Sequence, residues 1–153
     1  LKLATLCYIR NDNKILLLHR NKKENDIHAG KYNGLGGKFE QGETPEACAR
    51  REIFEESGLV AESLDLRGFI TFPKFARGED WYVFIFVIDK VSGELIDSPE
   101  GTLEWVEESK LGSLNFWEGD RIFMPWLFEQ KRFSACFVYE SGKLADYSVH
   151  FYA

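Results

Sequence analysis

A chain of 153 residues, 44% hydrophobic and 15% aromatic, reads as one globular domain over residues 1–153 and excludes a disordered segment. No apolar run reaches the roughly 18 residues of a membrane span, and the first residues carry no signal-peptide pattern. A net charge of −6 counts against a sequence-blind nucleic-acid binder, though not against a nucleotide held through metal ions.

Leu3 to Ile9 reads as a strand, followed by a turn at Asn11-Asp12-Asn13 and a second apolar run from Lys14 to Leu18, a hairpin or a pair of neighbouring strands. Asn21 to Gly30 is polar and charged, a loop. Asn33 to Gly37 (NGLGG) is short and Gly-rich, suited to close approach of backbone to a ligand. Thr44 as N-cap, Pro45 at the first helical position and Gly58 past the end bracket a helix of about 13 residues. Its packing surface is expected at Ala49 and Ile53, with Ala47 and Phe54 on another side. Strand-like segments follow near Leu66 to Phe72, Trp81 to Ile88 and Leu103 to Val106. A second helix is predicted from Glu118 to Gln130, kinked or split by Pro125. Phe133 to Tyr139 and Tyr147 to Tyr152 close the chain as strands around Ser141-Gly142. Mixed strands with two helices apart in sequence predict an α+β layered sandwich.

The first helix carries Arg51, Glu52, Glu55 and Glu56 in its second half, and the three carboxylates fall within an arc of roughly 100°. They repel one another, and the last two sit where the helix dipole disfavours negative charge by about 0.3–1 kcal/mol apiece. Pairing of Arg51 with Glu55 offsets only about 0.2–0.5 kcal/mol. A local rule broken without structural gain marks a functional site, and a hard divalent cation is the simplest relief. Cys7, Cys48 and Cys136 are odd in number, widely spaced and without a CxxC, which reads as free thiols of a reducing cytoplasm.

Gly37, Glu43, Arg51, Glu52, Ile53, Glu55, Glu56, Gly58 and Leu59 together resemble the Nudix box, G-x5-E-x7-R-E-U-x-E-E-x-G-U with U apolar, at all nine positions. Chance agreement of its seven fixed residue types at one place is on the order of 10⁻⁹. The segments GKYNGLGGK, Glu100 to Trp105, Trp117 to Asp120 and the tail from Phe133 extend the likeness to the MutT-type oxidised-purine nucleoside triphosphatases. The resemblance implies an α/β/α sandwich around a mixed sheet. It also implies Mg²⁺- or Mn²⁺-dependent hydrolysis of an oxidised purine nucleoside triphosphate to monophosphate and pyrophosphate.

By the same resemblance, Glu52, Glu55 and Glu56 bind Mg²⁺ with the Gly37 carbonyl, and Glu52 is the leading general base. Arg51 orients a neighbouring carboxylate. Glu43 buttresses the loop or Arg51, or else binds the metal directly. Glu100 supplies a further metal-binding carboxylate from a loop, with Glu104 as the fallback. Gly36 and Lys38 face the substrate, Lys38 reaching a phosphate oxygen or standing solvated. Asn33 and Asp120 match positions that read the oxidised base in the mammalian members, and Trp117 matches their stacking indole. Those members carry two adjacent aspartates where this chain has Gly119-Asp120, which bears on tolerance of several oxidised purines. Thr5, Arg20 and Tyr32 are lesser candidates for the pocket. His19, His28 and His150 show no ligand spacing and read as structural or surface residues.

Two other readings stand beside this one. Another Nudix substrate, ADP-ribose, a dinucleoside polyphosphate or capped RNA, is suggested only by Pro73 at the distance where ADP-ribose pyrophosphatases often carry a proline, and strand ends use proline routinely. A fold kept only for ligand binding is disfavoured, because no box glutamate is lost. No membrane, nucleic acid or obligate protein partner is expected.

Overall fold

The computed structural model describes residues 1–23 and 26–153. In chain order the elements are β1 (Lys2–Asn11), β2 (Lys14–His19), β3 (Tyr32–Asn33), α1 (Pro45–Ser57), β4 (Val60–Ala61), β5 (Asp65–Ala76) and β6 (Glu79–Ile88). There follow β7 (Val91–Ser92), β8 (Thr102–Glu107), a 3-10 turn (Glu108–Ser113), α2 (Glu118–Phe128), β9 (Arg132–Glu140) and β10 (Lys143–Tyr152). Among the described residues one mixed sheet runs β10-β9-β5-β6-β1-β2-β3, with β8 paired along β2, while β4 and β7 form a separate pair. The β1–β6 and β5–β9 pairings are parallel. The others in this sheet are antiparallel.

Alternation along the strands divides the core in two. Tyr8, Ile15, Leu17, Ile85 and Val87 face α2 through Phe123, Met124 and Leu127. Cys7, Ile9, Leu16, Phe86 and Ile88 face α1 through Ala49 and Ile53. Helices on both faces explain why β6 is a continuous apolar run and not an alternating one. The α/β/α sandwich expected from the sequence is the architecture observed.

Local signals place most elements. Asp12 and Asn13 both have positive φ, 48° and 64°, and join the β1–β2 hairpin in the two-residue turn that its twist favours. Helix α1 is capped by Thr44, whose hydroxyl accepts from Ala47 N–H at 3.1 Å. It ends at Gly58 in the left-handed region, φ 79°. Ala49 and Ile53 are buried, whereas Ala47 and Phe54 are exposed.

Other expectations are corrected. Helix α2 is not split: it runs through Pro125 and stops at Phe128, because Phe123, Met124 and Leu127 are buried against the sheet on either side of the proline. Strand β5 continues past Pro73, which stands at the register shift between Phe72 and Ala76, where the ladder asks no N–H of it. β4, β7 and the 3-10 turn were not foreseen, being too short to carry a periodic signal. The expected loop from Asn21 to Gly30 is irregular where described, and Glu24 and Asn25 lie outside the described residues. Cys7 and Cys48 are buried free thiols, and Cys136 is a half-buried one. No helix among the described residues is long and apolar enough to cross a membrane.

Candidate active site

The Gly-rich segment is laid antiparallel along β1. Thr5 N–H donates to the Gly37 carbonyl at 2.9 Å, Cys7 and Leu35 exchange backbone bonds, and Phe39 N–H donates to Leu3. Two glycines are demanded by this contact. Gly36 has φ +138°, and a Cβ there would meet the Thr5 carbonyl oxygen at 2.1 Å. A Cβ on Gly37 would stand 2.7 Å from the Glu52 carboxyl group. The loop backbone is thus pressed between β1 and the carboxylate face of α1.

Arg51 organises that face. Its guanidinium grips Glu43 with two bonds of 2.7 and 2.9 Å, and Nη2 also reaches the Lys38 carbonyl at 2.9 Å. Nη1 donates to Glu52 Oε1 at 2.8 Å and to Glu55 Oε2 at 3.2 Å. The fork holds Glu43 well below the usual carboxylate range, at about 2, and Glu43 in turn raises Arg51 far above its ordinary value. Glu43 is placed on Arg51 and not in the main cavity.

The three carboxylates in the second half of α1 do different things. Glu56 is 5% exposed and accepts from Gly36 N–H at 3.0 Å. Burial, and then the neighbouring Glu52, push its carboxyl well above the usual range. Glu52 lies beside it, and both line a cavity of about 600 Å³. Glu55 is half exposed on Arg51 and does not line that cavity. Glu100 does line it, but accepts from Lys23 Nζ at 2.7 Å and from Arg20 Nη2 at 3.4 Å. Glu104 is exposed outside it. Among the described residues no three His, Cys, Asp or Glu side chains converge as a group that could hold a metal ion.

The Glu52–Glu56 pair nonetheless fits a hard cation. Burial and the neighbouring Glu52 both raise the cost of ionising Glu56, and the two residues offer the carboxylate oxygens that such an ion prefers. A divalent ion would relieve both penalties.

The same cavity contains the base-reading candidates. Asn33, Trp117 and Asp120 line it with Ala4, Phe72, Phe75, Trp81, Val83 and Tyr139. Asp120 is 7% exposed, and burial pushes its carboxyl up to about 7, with Lys31 pulling the other way. Asn33 Oδ1, Asp120 Oδ2 and Trp81 Nε1 are buried without a hydrogen-bond partner among the described residues. Buried orphans of this kind call for an explanation, and a polar ligand supplies one. Thr5, Gly36, Lys38 and Arg20 also line the cavity, whereas Tyr32 stacks on His19 at 4.4 Å outside it. The Gly36 N–H is already taken by Glu56.

His28, read from sequence as structural or surface, is a cavity residue: its Nδ1 accepts the Trp117 indole N–H at 2.7 Å. Burial, then the charge of Arg20, lowers its pKa to about 4, so the ring is neutral at pH 7. Phe72, Phe75, Trp81 and Tyr139 were also missed as pocket residues. Only the strand alternation of Phe72 and Trp81 hinted at which face they take.

The family model of the NUDIX domain matches residues 1–127. The chain belongs to the Nudix family. It is a Nudix hydrolase, an enzyme of phosphoric anhydrides. It is 36% identical to the oxidized purine nucleoside triphosphate hydrolase of Danio rerio, over 91% of this chain and 87% of that protein. The Mus musculus protein of the same name is 33% identical over the same shares. Among solved structures, a MutT protein from Bacillus halodurans superposes with a TM-score of 0.85 at 28% identity, covering 97% of both chains.

Proposed function

We propose that this Nudix hydrolase removes oxidised purine nucleoside triphosphates of the 8-oxo-dGTP type, releasing nucleoside monophosphate and pyrophosphate with the help of Mg²⁺ or Mn²⁺. The observation that carries the reading is one cavity lined both by the adjacent carboxylates of Glu52 and buried Glu56 and by residues with orphaned polar atoms, Asn33 and Asp120. The relatives in zebrafish and mouse carry names of this same activity.

Glu52, Glu56 and the Gly37 carbonyl are the donor set for the cation, which Glu55 and Glu100 join on leaving their ion pairs. When bound, the ion neutralises phosphate oxygens and lets a triphosphate approach an acidic site. Arg51 fixes Glu52 through Oε1, and Glu52 is the candidate to take the proton of the attacking water. Lys2, Lys38 and Arg20 line the cavity as cations for the phosphates. At the base, Asn33 Oδ1 accepts a purine N–H. Asp120, protonated below about pH 7, donates to a purine acceptor while Trp117 supplies the wall. The free thiols suit a reducing compartment such as the cytoplasm.

A hydrolysis panel with Mg²⁺ tests the substrate: 8-oxo-dGTP, dGTP, ADP-ribose and dinucleoside polyphosphates, with products separated by chromatography. The expected result is a higher kcat/KM for 8-oxo-dGTP than for dGTP, with pyrophosphate released. Equal or lower kcat/KM for the oxidised nucleotide overturns the reading.

A further inference from the structure

Trp117 is the N-cap residue of α2, yet its side chain makes no capping bond. What orients its indole comes from a different part of the chain. The turn between β2 and β3 places His28 Nδ1 2.7 Å from the indole N–H, a contact across 89 residues of sequence. The same turn lays Lys31 Nζ over the ring, 4.7 Å from its centroid. One contact is at the edge and one on the face, so together they set both the tilt and the rotation of the plane. Phe75 and Tyr139 meet the ring edge-on at 5.2 and 5.5 Å and restrict it further.

The turn is itself braced. His28 N–H donates to Asp26 Oδ1 at 3.0 Å, and Asp26 Oδ2 accepts from Arg20 Nε at 2.9 Å. Lys31 N–H donates to the His28 carbonyl at 2.9 Å, and Asn115 Nδ2 donates to the Gly30 carbonyl at 3.1 Å. An imidazole accepting at Nδ1 must carry its proton on Nε2, so the bond fixes the tautomer as well as the ring position.

We propose that His28 is a positioning residue for substrate recognition, acting through Trp117 by holding the indole plane across the cavity before the base arrives. This rests on the reading of Trp117 as the wall of the base pocket. A preordered wall spares the rotamer entropy that ordering it on binding would cost. The benefit belongs to the bound nucleotide and not to the bond being broken, so it is read in KM and not in kcat.

The test uses the full chain with His28→Phe, His28→Asn, Trp117→Phe and the double variant His28→Phe/Trp117→Phe, in steady-state hydrolysis. Phe keeps a ring and removes the acceptor; Asn Oδ1 stands close to where Nδ1 stood. Expected is a rise in KM of about tenfold for H28F, with kcat within about twofold of wild type and H28N near wild type. In the Trp117→Phe background the H28F effect on KM should vanish. An unchanged KM in H28F, an H28N that behaves as H28F, or an H28F effect undiminished without Trp117 overturns the proposal. Each variant is read on 8-oxo-dGTP and on the nucleotide the wild type turns over best. A wild type that ignores 8-oxo-dGTP therefore sinks the substrate reading while the His28 comparison still decides.

Discussion

Asp120→Asn isolates the electrostatic cost built into the base pocket. In the folded chain the Asp120 carboxyl has its pKa raised from 3.8 to about 7, chiefly by burial. The sign follows from proton counting. Between those two values the unfolded chain has released the proton and the folded chain keeps it, so stability falls as pH rises through that window and levels off above it. At about 1.4 kcal/mol per pH unit, the full loss is about 4 kcal/mol, an upper value since local relaxation softens it. Asn has nearly the shape of the protonated acid and no charge to bury. The measurement is urea unfolding of both proteins from pH 4 to pH 8.5. Comparing the two cancels other titrating groups, including His28, whose lowered pKa makes its own contribution fall away as pH drops toward 4. The stability of the variant relative to wild type should climb steadily from pH 4 to 7 and then plateau in its favour by up to about 4 kcal/mol. A difference that does not vary with pH refutes the claim that Asp120 is buried with its proton. Activity should follow the same group: wild-type KM for an 8-oxopurine triphosphate rises above pH 7, where the donor is lost, and the Asn variant flattens that rise.

Glu52→Gln and Glu56→Gln should each lower kcat by about 10²-fold or more while circular dichroism and thermal unfolding remain those of a folded protein. Full activity in both variants would remove the metal-site assignment. Gly37→Ala forces a methyl group to within 2.7 Å of the Glu52 carboxyl, so the carboxylate must move. A kcat loss larger than the accompanying drop in Tm accounts for is expected, and wild-type kinetics would show that Glu52 has room to spare. Arg51→Lys keeps a charge but loses the fork that holds Glu43, Glu52 and the Lys38 carbonyl together. The expected cost is about 1–3 kcal/mol in denaturant unfolding together with reduced kcat, and an unchanged protein would mean that the network is idle.

How much of this was legible in the sequence depends on the range of the signal. Thr44, Pro45 and Gly58 act on their own helix end, and the helix they predicted runs Pro45–Ser57 as observed. The Asp12-Asn13 turn and the apolar run of β6 are equally local. Of the two outcomes expected at Pro125, the split does not occur, because its local penalty is outweighed by the burial of Phe123, Met124 and Leu127, which depends on a sheet assembled from elsewhere in the chain. The acidic face of α1 was visible as a cluster of three, but Glu56 is buried on the Gly36 N–H and lines the cavity with Glu52, while Glu55 stays on Arg51 in solvent. Helical phase gives only an arc; the loop lying on β1 decides which part of the arc is desolvated.

By itself the sequence determined the capped helix, the nine residues of the box with its crowded carboxylates, and the mixed strand pattern. These rest on propensity, capping and periodicity, which operate over about a dozen neighbouring residues. Tertiary structure alone decided the parallel β1–β6 and β5–β9 pairings and the cavity they floor. It also decided the orphaned atoms of Asn33, Trp81 and Asp120 and the meeting of His28 with Trp117. Desolvation and hydrogen-bond pairing depend on which distant groups share a place in space, and spacing along a chain does not carry that information.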